Sequence, residues 1–85
     1  MNVIYFSAPW CGPCKTFKPV LQEVARDLGV LINEINVDYD ATFTQKYNVT
    51  SVPTLLILDN QGIPVYRNSG AIPKDQLIRT FNQFK

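Results

Sequence analysis

Two β-prone segments, Asn2 to Phe6 and Leu31 to Val37, enclose an amphipathic helical stripe, and this arrangement restricts the chain more than any other feature it has. Phe17, Val20, Leu21, Val24 and Leu28 recur at three- and four-residue spacing, so they gather on one helical face, which Gly29 ends. In the second segment Leu31, Asn33, Ile35 and Val37 alternate with Ile32, Glu34 and Asn36, the period of a strand. A strand, a helix and a strand joined this closely form a crossover unit, and its two strands run parallel.

The rest of the chain completes a sheet. Asp40 caps a short helix in which Phe43 and Tyr47 lie one turn apart. Leu55 to Leu58 is a continuous apolar run, as expected of a central strand, and Asp59-Asn60-Gln61-Gly62 turns it into a hairpin with Ile63 to Arg67. Pro64 has no N–H to give a ladder, which assigns that last strand to a sheet edge. Pro73 opens a closing helix with Leu77, Ile78, Phe81 and Phe84 toward the sheet and Lys74, Gln76, Arg79 and Gln83 toward water. The predicted order is βαβαββα: one α/β domain over residues 1–85, with a four-stranded mixed sheet flanked by helices. A core built from 85 residues with 46% apolar content leaves a net stability of roughly 3 to 5 kcal/mol.

Charge excludes several partner classes. Eight basic against seven acidic residues give a net charge of +1 with no basic run, so neither a nucleic-acid binder nor an anionic-membrane binder is expected. No apolar run approaches a membrane span and no signal-peptide pattern opens the chain, so the expected location is cytoplasmic. In a reducing compartment a pair of cysteines two residues apart serves catalysis or metal binding rather than stapling. A closed zinc or iron–sulfur site needs four ligands, and the chain has no third cysteine and no histidine. The triplet Asn48-Val49-Thr50 matches a glycan acceptor, a pattern that arises by chance and has no use in the cytoplasm.

Trp10-Cys11-Gly12-Pro13-Cys14-Lys15 falls where the first strand hands over to the helix N-terminus. Unpaired N–H groups and the partial positive charge there favour a thiolate at Cys11. Cys14, inside the first turn, is close enough to close a disulfide yet screened until it must attack. The expected cycle has Cys11 attack a substrate disulfide and Cys14 resolve the mixed disulfide, leaving a Cys11–Cys14 disulfide that an external reductant recycles. No other redox cofactor is expected, and no phosphate loop or dinucleotide fingerprint occurs.

The hexapeptide after an apolar strand, followed by Val52-Pro53-Thr54 and Gly70-Ala71, resembles the thioredoxin family over nearly the whole chain. The resemblance implies a minimal thioredoxin fold and a protein-disulfide reductase, monomeric, served by a thioredoxin-reductase-type or glutathione electron donor. It implies a cis peptide bond at Val52-Pro53 beside the cysteines, with the Val52 backbone free to pair with an extended substrate. Trp10, Gly12, Pro13, Val52, Pro53, Gly70 and Ala71 become the active-site turn and docking rim, the glycine allowing close backbone approach. Pro19 corresponds to the family's helix-bending proline, and Lys15 acts through its charge.

Two features depart from the family pattern. Thioredoxins place a buried aspartate six residues before the first cysteine and pair it with a lysine on the next strand, positions that hold Tyr5 and Glu34 here. Either Glu34, through Tyr5 or a water, takes over proton transfer from Cys14, or water alone accepts the proton. A typical thioredoxin also begins with a further strand and helix, and without them the strand Leu31 to Val37 becomes a sheet edge, blunted by Asn33, Glu34 and Asn36. Glutaredoxin-like glutathione dependence is the main alternative function. It fits the length and Thr50-Ser51-Val52-Pro53, but not Gly12-Pro13 between the cysteines, nor Gly70-Ala71 without a neighbouring acid. A docking module with idle cysteines has no need of two thiols at a helix N-terminus.

Overall fold

In the computed structural model, which describes residues 1–84, the first strand is the buried spine of the molecule. Strand β1 (Asn2–Ser7) is enclosed from Val3 onward because it has neighbours on both sides. It pairs in parallel with β2 (Ile32–Asn36) and antiparallel with β3 (Thr54–Leu58), and β3 pairs with β4 (Pro64–Ser69), giving the order β2-β1-β3-β4. Helices α1 (Gly12–Leu28), α2 (Ala41–Lys46) and α3 (Lys74–Phe84) complete the predicted succession.

Strand alternation sorts the core into two layers. Val3, Tyr5, Leu55 and Ile57 face Phe17, Leu21 and Val24 of α1 and Leu77 and Phe81 of α3. Ile4, Phe6, Leu56 and Leu58 face the other way, onto Ile35 and Val49, with Phe43 and Tyr47 of α2 packed against them. The Phe43 and Tyr47 rings lie 5.6 Å apart, and the Asp40 carboxylate accepts the Phe43 N–H at 3.1 Å as the α2 cap. Gly29 ends α1 in the left-handed region at φ 68°, where its lack of a Cβ removes the steric cost.

Strand boundaries differ from expectation by one or two residues, β1 running on to Ser7, β2 closing at Asn36 and β4 opening at Pro64. Leu31 is 89% exposed because the β1–β2 ladder begins one residue later, at Val3 and Ile32, and β2 has no further strand beside it among the described residues. Strand β3 starts at Thr54, and β4 runs on to Ser69, past Arg67. The register slips between Ile57 and Leu58, so Pro64 stands opposite Leu58 at the start of an edge strand, where its missing N–H costs no ladder bond.

Candidate active site

The C-terminal end of β1 delivers both cysteines. After Ser7 the chain turns, the Cys11 N–H donates to the Ala8 carbonyl at 3.1 Å, and Cys11 takes the N-cap position of α1 with an extended backbone at φ −83°, ψ 107°. Its sulfur accepts the Cys14 N–H at 3.1 Å, filling the role of the usual serine or aspartate oxygen of an N-cap. Pro13 in the first turn gives up an N–H that has no intrahelical acceptor. The cysteines are joined as a disulfide across a Cα–Cα distance of 5.3 Å, and both are buried against Ala8, with Val37 and Val52 packed beside them. Gly12 and Pro13 remain exposed between them.

The rim residues arrive from three separate segments. Trp10 is 67% exposed, and its indole N–H donates to the Asp38 carboxylate at 3.0 Å, which holds the ring beside the cysteine turn. The Val52–Pro53 peptide is cis, and Pro53 is buried. Val52 lies beyond the end of the β1–β3 ladder, which closes at Phe6 and Thr54. The Gly70 N–H donates to the Pro53 carbonyl at 2.8 Å, tying the loop after β4 to the proline loop and leaving Ala71 exposed. At Gly70 the requirement is conformational rather than steric: φ is +102°, while a Cβ there would meet nothing within 4 Å. Trp10, Val37, Val49 and Val52 line a shallow, largely apolar cleft of about 260 Å³.

A second cleft, of about 270 Å³, opens on the α1 side of the sheet and is lined by Cys14, Tyr5, Ser7, Lys18 and Glu34 among others. Register brings Tyr5 and Glu34 together as direct partners across β1 and β2. The buried Tyr5 hydroxyl, however, donates to the Cys14 carbonyl at 3.2 Å rather than facing a sulfur. Its pKa is pushed up to about 12, chiefly by burial and secondarily by the Glu34 charge, so near neutrality the phenol stays protonated and serves as a donor. The Glu34 carboxylate pairs with the Lys18 ammonium at 3.1 Å and accepts from the Ser7 hydroxyl at 3.5 Å. The Tyr5 hydroxyl thus engages the Cys14 backbone carbonyl, while the Glu34 carboxylate engages Lys18 and Ser7.

The comparisons with known proteins match this geometry. The Thioredoxin family model matches residues 1–83. The chain belongs to the thioredoxin family. It is similar to the thioredoxin of Haemophilus influenzae, at 45% identity over 92% of this chain and 74% of that protein. It is also similar to the Bacillus subtilis thioredoxin, at 42% identity over 92% of this chain and 76% of that protein. Among solved structures, Fasciola hepatica thioredoxin superimposes with a TM-score of 0.89 at 33% identity, covering 99% of this chain and 80% of that one. As a thioredoxin-family member the chain is a thiol-disulfide oxidoreductase, with Cys11–Cys14 as its redox-active pair. Family members act on disulfide substrates and are reduced by thioredoxin reductase.

Sequence reasoning missed Asp38 and Lys18. Lys18 was legible in principle, because it stands four residues after Cys14 on the same helix. Asp38 gave no local signal, since its partner Trp10 lies 28 residues away. Among the described residues there is no group of three or more His, Cys, Asp or Glu able to hold a metal ion, and no helix long and apolar enough to cross a membrane.

Proposed function

We propose that this chain reduces disulfide bonds in protein substrates, with Cys11 as the attacking thiol and Cys14 as the resolving thiol. The observation that carries the assignment is the unequal placement of the two sulfurs. Cys11 caps α1 and accepts a backbone N–H, an environment that lowers the cost of a thiolate, whereas Cys14 sits inside the first turn under the helix. The Cys11 thiolate attacks one substrate sulfur, and the other substrate sulfur leaves with the bond's electron pair. Cys14 then attacks Cys11, releases the first substrate sulfur as a thiolate, and leaves the enzyme oxidised by two electrons.

The exposed Trp10, Gly12, Pro13 and Ala71, with Val52, Pro53 and Gly70 behind them, form the rim on which a substrate lands. The Val52 backbone, lying outside the ladder, accepts an extended substrate segment by strand addition. The cycle needs no cofactor beyond the disulfide, runs in a monomer in the cytoplasm, and draws its electrons from a thioredoxin-reductase-type donor.

Redox titration against glutathione and thioredoxin standards tests the direction. A midpoint near about −270 mV is expected, and one near about −120 mV would make the chain an oxidant instead. Cys14→Ser is expected to accumulate a mixed disulfide with a substrate protein, visible by mass spectrometry and absent in Cys11→Ser. Turnover with glutathione matching that with a thioredoxin reductase would move the assignment to the glutaredoxin type. Full activity of the double Cys→Ser variant would leave only a docking role.

A further inference from the structure

We propose that Lys18 stabilises the Cys14 thiolate during resolution and that Glu34 restrains Lys18, so that an ion pair rather than a carboxylate base governs this step. The inference rests on the two-thiol reading above. Lys18 stands one helical turn after Cys14, and helical side chains lean toward the N-terminus, so its stem runs back along α1 toward that cysteine. Both residues line the same cleft.

Among the described residues, the charged and titratable groups around Cys14 are few. Helix α1 supplies Lys15 and Lys18, β1 supplies Tyr5, β2 supplies Glu34, and the remaining neighbour is Cys11 itself. Tyr5 is neutral and spends its proton on the Cys14 carbonyl. Lys15 also borders the cleft but is exposed and has no ion-pair partner among the described residues, whereas Lys18 stands one turn after Cys14 and is held in the cleft by Glu34. Glu34 is held by the Lys18 ammonium at 3.1 Å and by the Ser7 hydroxyl at 3.5 Å, so its carboxylate is directed to these two partners. The cleft is open to solvent, so water takes the Cys14 thiol proton.

In the mixed disulfide, Cys14 gives its proton to water and its sulfur attacks the Cys11 sulfur. The Cys11–substrate bond breaks, and its electron pair leaves on the substrate sulfur, which is protonated from solvent. Negative charge thus collects on Cys14 before it passes to the substrate, and an ammonium one turn away lowers the energy of that state. Glu34 opposes it twice, by holding the ammonium and by adding negative charge to the cleft.

The test is rapid mixing of reduced protein with an excess of a symmetrical aromatic disulfide that releases a coloured thiolate, followed across pH. The first equivalent reports attack by Cys11 and the second reports resolution by Cys14. The Lys18 and Glu34 side chains are 44% and 41% exposed, so their substitution leaves the fold intact. Lys18→Met is expected to move the pH midpoint of the second phase up by about half to one unit, slowing it about three- to tenfold near neutrality. Lys18→Arg is expected to keep the original midpoint, and Glu34→Gln to move it down, with the first phase unchanged throughout. No movement in Lys18→Met, or an upward movement in Glu34→Gln, overturns the inference. A missing first phase in the unsubstituted protein is a different failure, because it removes the two-thiol reading itself.

Discussion

Tyr5 occupies a position where the thioredoxin pattern has a buried acid, and it changes what that position does. Its ring packs edge-on against Phe17 with centroids 5.8 Å apart, and its hydroxyl braces the first turn of α1 through the Cys14 carbonyl. The phenol's pKa is raised from 10.0 to about 12, so the folded state holds this proton more tightly than the unfolded chain does. The associated stability is present in full below pH 10 and is lost as pH rises toward 12. Denaturant titrations at rising alkaline pH are expected to show an extra loss of about 2 to 3 kcal/mol that Tyr5→Phe lacks. At neutral pH the same substitution is expected to cost about 1 kcal/mol for the lost hydrogen bond. Asp38→Ala is expected to free the Trp10 indole and raise KM for a protein disulfide by about two- to fivefold while leaving kcat nearly unchanged, a split that steady-state kinetics reads directly.

The short helix α2 is the element most dependent on its surroundings. With six residues it cannot persist alone, so both of its ends are held by side chains. Asp40 caps its start, and the Arg67 guanidinium reaches across from β4 to the Tyr47 and Asn48 carbonyls at its end, 2.6 Å away for Asn48. These contacts also anchor the segment leading to Val52 and Pro53. Asp40→Ala and Arg67→Met are each expected to lower stability by about 1 kcal/mol in urea denaturation. On the other face, α1 and α3 are joined by Lys74 and Glu23 at 2.9 Å. The hydrogen bond and charge of Lys74 lower the Glu23 pKa, and those of Glu23 raise that of Lys74. The pair's contribution fades as pH falls through the Glu23 value and again as pH rises through that of Lys74. Both side chains are exposed, so salt screens it.

At the scale of the whole molecule, the two-layer core leaves little margin. Phe6, Leu55 and Phe81 are fully buried, and truncating any one of them to alanine is expected to cost about 2 to 5 kcal/mol, comparable with the whole net stability. Leu31→Lys, at an exposed position outside the ladder, is expected to shift the thermal midpoint by less than about 2 °C, which calorimetry measures. The strands, the helices, the parallel crossover and the edge position of β4 were legible because each rests on a local period or on a single proline. The capping role of Cys11 follows in the same way from a cysteine placed at a strand-to-helix junction. The two clefts, the Trp10–Asp38 bond and the grip of Arg67 on α2 were not legible. They depend on sheet register and on segments dozens of residues apart, which no local pattern encodes. By itself the sequence determined the elements, their order and the cysteine pair at the helix N-terminus, since covalent spacing and side-chain alternation act over a few residues. Only the tertiary structure decided which partners these groups take, because chain folding turned the Tyr5 hydroxyl to the Cys14 carbonyl and brought Lys18 of α1 to Glu34 of β2, so the lysine of the ion pair comes from the helix rather than from the next strand as in the family pattern.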